Sequence, residues 1–127
     1  MRPLVVDCSV TMAWCFEDEC DELADAVLDG LAEGEAWVPS LWPLEAANVL
    51  IAAERRRRVT VADSARFVEL LTSLPIVVDD RSHGRAFAQV MSTARQLGIS
   101  VYDASYLELA MRLGAALATR DAQLRAA

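Results

Sequence analysis

Short apolar runs alternate along the chain with longer stretches in which apolar residues recur at helical spacing. The short runs are typical of buried strands, because a strand covered on both faces reads as a continuous apolar segment. They predict four strands, over residues 3–7, 36–38, 75–79 and 116–119. Strands that alternate with helices predict an α/β fold with a mainly parallel sheet.

Polar residues mark where the helices between these strands begin. Ser9 is expected to cap the first helix, and Thr60 with Asp63 forms a capping-box pattern. Ser82 is expected to cap a helix that ends at Gly98. The predicted helices run over residues 9–16, 21–33, 43–58, 60–73, 82–98 and 100–114, and a short one begins at Asp121.

Length and composition indicate one closed domain over residues 1–127, because 54% of the 127 residues are hydrophobic. No apolar run approaches the ~20 residues that cross a bilayer, and the N-terminus has no signal-peptide pattern. We therefore expect a cytoplasmic protein without membrane association. The three cysteines lack C-x-x-C spacing and are expected to be reduced. The single histidine, His83, excludes a mechanism built on two histidines.

Four acidic residues interrupt apolar surroundings. Asp7 ends the first strand, Glu45 lies in the first turn of a helix, Asp103 opens another helix, and Asp121 follows the fourth strand. Ligands of parallel sheets bind beyond the carboxyl ends of the strands, which makes Asp7, Asp79 and Asp121 candidates for a site by position. Taken singly, Asp103 and Asp121 are better explained as helix caps, and Glu45 as a partner of the helix dipole. Asp7 needs a partner, because it ends a buried strand.

Four motifs in order give the chain a family resemblance that spans nearly its whole length. They are Asp7-x-Ser9, Glu45-x-x-Asn48-x-Leu50, Tyr102-Asp103-Ala104-x-Tyr106-Leu107-x-Leu109-Ala110 and Leu117-x-Thr119-x-Asp121-x-x-Leu124. Together they resemble the PIN domain, and most closely the VapC-type toxins of bacterial toxin–antitoxin systems. The resemblance implies a three-layer α/β/α fold of four or five strands in the order 3-2-1-4-5. The fifth strand is in doubt, because the sequence stops at Ala127.

The resemblance also implies the chemistry of the site. The catalytic and metal-binding acids would be Asp7, Glu45, Asp103 and Asp121, and the supporting hydrogen-bonding residues would be Ser9, Asn48 and Thr119. Two carboxylates ~5 Å apart repel by about 3 kcal/mol at an effective dielectric of 20, so such a cluster either retains some protons or holds cations. Oxygen ligands without histidine or cysteine favour Mg²⁺ or Mn²⁺. The implied activity is endoribonuclease cleavage by a metal-activated water, leaving a 5′-phosphate and a 3′-hydroxyl.

Charge and aromatic residues suggest partners. The net charge is −7, yet all twelve basic residues are arginine, and four of them stand together at Arg55, Arg56, Arg57 and Arg58. We expect this cluster to contact RNA phosphates, although a solvated helix end explains it equally well. The family resemblance implies a homodimer and a cognate antitoxin, for which Trp14, Phe16 and Trp42 are the expected groove.

Rival classes remain open from the sequence. A haloacid-dehalogenase-type enzyme needs Asp-x-Asp, and Ser9 stands at the second position. A receiver-like signalling domain needs an acidic pair, which Asp7-Cys8 does not supply, and a phosphorylatable acid, for which Asp79 is available. A catalytically idle PIN-like binding module is the third alternative, and a metal titration would test it.

Overall fold

The computed structural model describes residues 3–16 and 22–120, and its centre is a four-stranded sheet. All strand pairs are parallel, and the strand order is β3-β2-β1-β4. The strands are β1 Leu4–Val6, β2 Ala36–Val38, β3 Ile76–Val78 and β4 Ala116–Ala118. The predicted α/β class and the order 3-2-1-4 are confirmed, whereas a fifth strand and the helix expected from Asp121 would fall on residues 121–127, outside the described residues.

Six α-helices are described beside the sheet. They are α1 Cys8–Cys15, α2 Glu22–Gly30, α3 Trp42–Arg55, α4 Val61–Ser73, α5 Met91–Leu97 and α6 Val101–Leu113. The capping box of Thr60 and Asp63 opens α4 as predicted, and Ser100 caps α6. The predicted cap of α1 is wrong: Asp7 is the N-cap, and its carboxylate accepts from the Val10 backbone N–H. The physical reason is that Asp7 leaves β1 in an extended conformation, which an N-cap requires.

The segment after β3 differs from the single helix predicted over residues 82–98. It contains a 3₁₀ turn at His83–Arg85, a π-helical turn at Ala86–Val90 and then α5. Ser82 makes no capping hydrogen bond, because its hydroxyl donates to Asp79 Oδ2 at 2.6 Å. Gly98 ends the segment at a φ of 66°, a left-handed conformation that glycine adopts without steric cost.

The core lies on both faces of the central strand β1. Successive side chains of a strand point to opposite faces, and Val5 and Val6 accordingly belong to two different buried clusters. The cluster of Val5 contains residues of α1, α3, α4 and α6, and the cluster of Val6 contains residues of α1 and α2. Because Asp7 follows directly, the buried strand fixes where its carboxylate stands. None of the helices in the described ranges is long and apolar enough to cross a membrane.

Candidate active site

Asp7 lies at the carboxyl end of β1 and is 5% exposed. Ser9 Oγ donates to Asp7 Oδ1 at 2.6 Å, and the Val10 backbone N–H donates to the same oxygen at 3.2 Å. Thr119 Oγ1, just beyond β4, donates to Oδ2. The three donors satisfy a buried carboxylate that would otherwise be costly, and they hold both of its oxygens in one orientation.

Backbone and side-chain contacts tie this carboxylate to the neighbouring elements. The Arg120 backbone N–H donates to Ser9 Oγ at 3.0 Å, which links α1 to the segment after β4. Thr11 Oγ1 donates to the Asp7 carbonyl at 3.1 Å and accepts from Trp42 Nε1 at 3.0 Å. The end of β1 is therefore connected both to β4 and to the start of α3.

Glu45, in the first turn of α3, is half-buried, and its Oε1 accepts a hydrogen bond from the Tyr106 hydroxyl at 2.5 Å. Burial raises the pKa of Glu45, and the negative charges of Asp7 and Asp103 raise it further. The hydrogen bond from Tyr106 acts in the opposite direction. The structure thus brings Asp7, directly after β1, and Asp103, on α6, within electrostatic reach of Glu45 on α3.

Asp103 lies in the first turn of α6 and is half-buried. The capping oxygen of this helix belongs to Ser100, whose Oγ accepts from the Asp103 backbone N–H at 3.0 Å. The carboxylate of Asp103 is not that capping acceptor, and its charge acts on Glu45. Asn48 is exposed one turn after Glu45 on α3, and Asp121 lies outside the described residues.

Two residues of the cluster were not assigned a role from the sequence. Burial and the charges of Glu45 and Asp7 raise the pKa of the Cys8 thiol to about 12, so that it stays protonated and unreactive. Burial and the contact with Glu45 also raise the pKa of Tyr106, which keeps its hydroxyl a donor. Tyr106 follows Asp103 by three residues, so helical spacing puts both on one face of α6, a signal that was available in the sequence.

The donor atoms of this cluster fit a hard divalent cation by their chemistry. They are carboxylate oxygens, and a cation would relieve the repulsion by which Asp7 and Asp103 add to the burial that raises the pKa of Glu45. Within residues 3–16 and 22–120, however, no group of three or more histidine, cysteine, aspartate or glutamate side chains is arranged to hold a metal ion. Asp7, Glu45 and Asp103 therefore stay predicted ligands, as does Asp121.

The arginine cluster lies at the other end of α3, ~15 Å along the helix axis from Glu45 at 1.5 Å per residue. All four side chains are exposed, and in the described part of the chain Arg55, Arg56 and Arg57 form no ion pair. The Arg58 guanidinium lies over the Phe16 ring, 4.1 Å from its centroid. The cluster is therefore a separate basic surface and does not line the acidic site.

The expected aromatic groove of Trp14, Phe16 and Trp42 is not one groove. Phe16 is 4% exposed and Trp42 is 7% exposed, so both belong mainly to the core. Trp14 and Phe16 border one cavity, whereas Trp42 borders a separate apolar groove between α3, α4 and β3. The physical reason is that the indole N–H of Trp42 is bound to the buried Thr11 hydroxyl, which turns the ring inward.

Asp79, the acid that a receiver-like domain would phosphorylate, is engaged elsewhere. It is 4% exposed and accepts from both terminal nitrogens of Arg112, at 3.2 and 2.8 Å. Arg112 also binds Glu108, which in turn accepts from Arg85 Nε at 3.1 Å. The hydrogen bonds from Arg112 hold the pKa of Asp79 below its usual value. This ion cluster joins the end of β3 to α6, and it leaves Asp79 poorly placed to be a nucleophile.

Comparisons with known proteins agree with this architecture. Residues 4–127 match the family described as "PIN domain". The chain is 29% identical over 121 residues to a protein named "Ribonuclease VapC3" from Pyrobaculum aerophilum, covering 95% of this chain and 91% of that relative. It is also similar to the crystal structure of PAE2754 from Pyrobaculum aerophilum, with a TM-score of 0.72, 26% identity, and coverage of 98% of this chain and 84% of the other.

Proposed function

The chain belongs to the PIN-domain family, and from that premise we propose that it is a VapC-type endoribonuclease that depends on Mg²⁺ or Mn²⁺. The observation that carries the proposal is that Asp7, at the carboxyl end of β1, and Asp103 lie close enough to Glu45 for their charges to add to the burial that raises its pKa. A perturbed carboxylate beside an acid at a strand end of a parallel sheet favours a catalytic site. We further propose that the enzyme is the toxin of a toxin–antitoxin pair.

Each side chain of the site has a proposed task. We assign Asp7 and Asp103 as the most direct ligands of the cation, with Glu45 and Asp121 completing the site and orienting the attacking water. Bound Mg²⁺ or Mn²⁺ supplies charge that polarises the phosphodiester and stabilises the leaving oxygen. Ser9 and Thr119 keep the Asp7 carboxylate in one orientation, as supporting partners of metal ligands do.

Cleavage of RNA by the purified protein tests this proposal. We expect cleavage in Mg²⁺ or Mn²⁺, none in EDTA, and a loss of more than about 100-fold in Asp7→Asn and in Asp103→Asn, because direct ligands matter at least as much as their supporting partners. Glu69→Gln, which removes an exposed acid on α4, is the matched control and should cleave normally. Undiminished cleavage by Asp7→Asn would remove that residue from the mechanism.

A catalytically idle binding module is a distinct outcome of the same experiment. It would show no cleavage with either cation and no heat of Mn²⁺ binding in a calorimetric titration. The repulsion of Glu45 by Asp7 and Asp103 favours the enzyme, because an idle module has no need to keep these acids close together.

We propose that Arg55, Arg56 and Arg57 bind RNA phosphates at a distance from the acids. Their guanidinium groups are exposed and form no ion pair within the described ranges, so the charge is available to a polyanion. In the variant that combines Arg55→Gln, Arg56→Gln and Arg57→Gln, three phosphate contacts are lost. The slope of the logarithm of RNA affinity against the logarithm of salt concentration should therefore become shallower by about 2, at ~0.7 per contact. Arg95→Gln, an exposed arginine on α5, should leave the slope unchanged. An unchanged slope in the triple variant would leave the cluster as a solvated helix end.

The proposed protein partners are an antitoxin and a second copy of the chain. The neighbouring reading frame should encode a small protein that, when co-expressed, co-purifies with this chain and suppresses its cleavage of RNA. Light scattering of the purified chain should give the mass of a dimer. If the chain cleaves RNA but the neighbouring reading frame encodes no inhibitor, the nuclease proposal stands and the toxin–antitoxin proposal is refuted.

A further inference from the structure

The contact between Tyr106 and Glu45 joins α6 to α3 inside the site. Tyr106 is 2% exposed, and its hydroxyl donates to Glu45 Oε1 at 2.5 Å across 61 residues of sequence. A buried phenol needs a hydrogen-bond partner, and a neutral acceptor such as a backbone carbonyl would suffice. Here the partner is a carboxylate, which makes the hydrogen bond charge-assisted and stronger than a neutral one.

The position of Tyr106 on α6 indicates what this hydrogen bond does to Glu45. Tyr106 and Asp103 are three residues apart on α6, so both side chains lie on the helix face that reaches Glu45. Asp103 contributes a negative charge that repels Glu45, and Tyr106 contributes a donor that holds it in place. Only Oε1 of Glu45 accepts a hydrogen bond from the described residues, so Oε2 is left available.

We propose that Tyr106 is a positioning residue of the nuclease site: its hydroxyl holds Glu45 Oε1 and keeps the carboxylate beside Asp7 and Asp103, with Oε2 left for a divalent cation. This inference rests on the proposed function, because it assigns Glu45 to the cation. Without the hydroxyl, the repulsion from two neighbouring acids turns Glu45 away from them. Tyr106 therefore acts through Glu45 and contacts neither RNA nor the cation.

The sequence supplies a closely matched pair of variants. Tyr106→Phe removes the buried hydroxyl and keeps the ring that packs in the core. Tyr102→Phe makes the same chemical change on the same helix, one turn earlier, at a side chain that is 66% exposed. Isothermal titration with Mn²⁺ alone measures cation binding without RNA, and steady-state cleavage at saturating Mn²⁺ gives KM for RNA separately.

We expect Tyr106→Phe to bind Mn²⁺ about tenfold more weakly, the lower end of what the loss of a ligand's supporting partner costs. Cleavage at sub-saturating Mn²⁺ should fall in proportion, and KM for RNA should change less than about twofold, because the RNA contacts are unaltered. Tyr102→Phe should match the parent protein in both measurements. Equal Mn²⁺ affinity of Tyr106→Phe and Tyr102→Phe overturns the inference and leaves the hydroxyl a purely structural group.

Glu45→Asp breaks the same hydrogen bond without altering the core, and together with Tyr106→Phe it forms a double-mutant cycle. The shorter side chain retains the charge and loses the reach to the hydroxyl, so Mn²⁺ affinity should fall by a similar factor, and Tyr106→Phe added to it should cost little more. Additive losses in this pair contradict the inference. A parent protein that neither binds Mn²⁺ nor cleaves RNA refutes the proposed function instead, which separates the two failures.

Discussion

Thr119 Oγ1 donates a hydrogen bond to Asp7 Oδ2, although 112 residues separate the two in the sequence. The neighbouring parallel strands bring them together, since Val6 pairs with Ala118 and the Asp7 backbone N–H donates to the Ala118 carbonyl at 3.1 Å. Asp7 and Thr119, which directly follow these paired residues, therefore lie at the same edge of the sheet. The hydrogen bond to Asp7 Oδ2 thus follows from strand register, whereas the two donors to Oδ1 belong to the start of α1.

Thr119→Val tests whether this orientation matters for cleavage. Valine keeps the shape of the side chain and removes the donor, which leaves Asp7 Oδ2 free to turn. We expect RNA cleavage to fall about 10- to 100-fold, the range found for partners that orient metal ligands. Thr72→Val, on the exposed surface of α4, should cleave normally. Full activity of Thr119→Val would show that Ser9 and the Val10 N–H hold Asp7 unaided.

Arg57 occupies a position where glycine is the usual residue. It follows the end of α3 at a φ of 58°, with its N–H bonded to the Glu54 carbonyl and the Arg58 N–H bonded to the Ala53 carbonyl, the pattern of a Schellman motif. Arg57→Gly should therefore stabilise the fold by about 1 kcal/mol in a urea titration. The same variant should weaken RNA binding, because it removes one exposed cation.

Arg56→Gln provides the comparison for Arg57→Gly. It removes an equivalent charge at a residue with ordinary backbone angles, so it should weaken RNA binding to a similar degree without any gain in stability. If both variants bind RNA as the parent protein does, arginine at position 57 has no binding role that compensates for its strained backbone.

Much of the fold was predictable because its elements have local signatures. The apolar runs that contain Val5, Trp37, Val77 and Leu117 are each bounded by polar or turn residues, and all four became strands. The cap predicted at Ser82 was wrong for a reason outside local sequence. Its hydroxyl is drawn to Asp79, and Asp79 is held by Arg112, 33 residues away. That competition arises only because the fold brings Arg112, on α6, to the segment that follows β3.

In the candidate site, too, some features have a signature in the sequence and others depend on tertiary packing. Asp7, Glu45 and Asp103 were predicted as a set from motifs in order, and their electrostatic coupling is consistent with that prediction. The hydrogen bonds of Tyr106 to Glu45 and of Trp42 to Thr11 were not predicted. Tyr106 and Trp42 alone are typical core residues, and each pairing depends on how helices cross, which hydrophobic periodicity does not specify.

Thr11 should contribute to stability well beyond its size. It is fully buried, accepts from Trp42 Nε1 and donates to the Asp7 carbonyl. Thr11→Val keeps the volume and leaves the indole N–H buried without a partner, which should lower the free energy of unfolding by about 1–3 kcal/mol. Urea denaturation measures this, with Thr72→Val as the exposed control. A change within about 0.5 kcal/mol would mean that the indole finds another acceptor.

Among these substitutions, that of Arg112 should cause the loss of folding stability that depends most on pH. Its guanidinium binds Asp79 and Glu108, which are 4% exposed each, and removing one partner of a buried ion pair typically costs 3–5 kcal/mol. We expect Arg112→Met to lose about that much stability at pH 7 in urea denaturation. Arg95→Met, which removes an exposed arginine, should change little.

The pH dependence of this loss follows from the lowered pKa of Asp79. A carboxylate whose pKa is lower in the folded than in the unfolded protein contributes stability above its unfolded value of about 3.9, and that stability is lost as the pH falls through the folded value. In Arg112→Met the buried carboxylates lack their cation, and protonation at low pH relieves them. The stability difference between parent and variant should therefore shrink between pH 7 and about pH 3. The variant's buried carboxylates take up protons first, and below about pH 3.9 the parent also loses the contribution of Asp79. A difference that stays constant over this range would show that Arg112 stabilises the fold by packing and not by its charge.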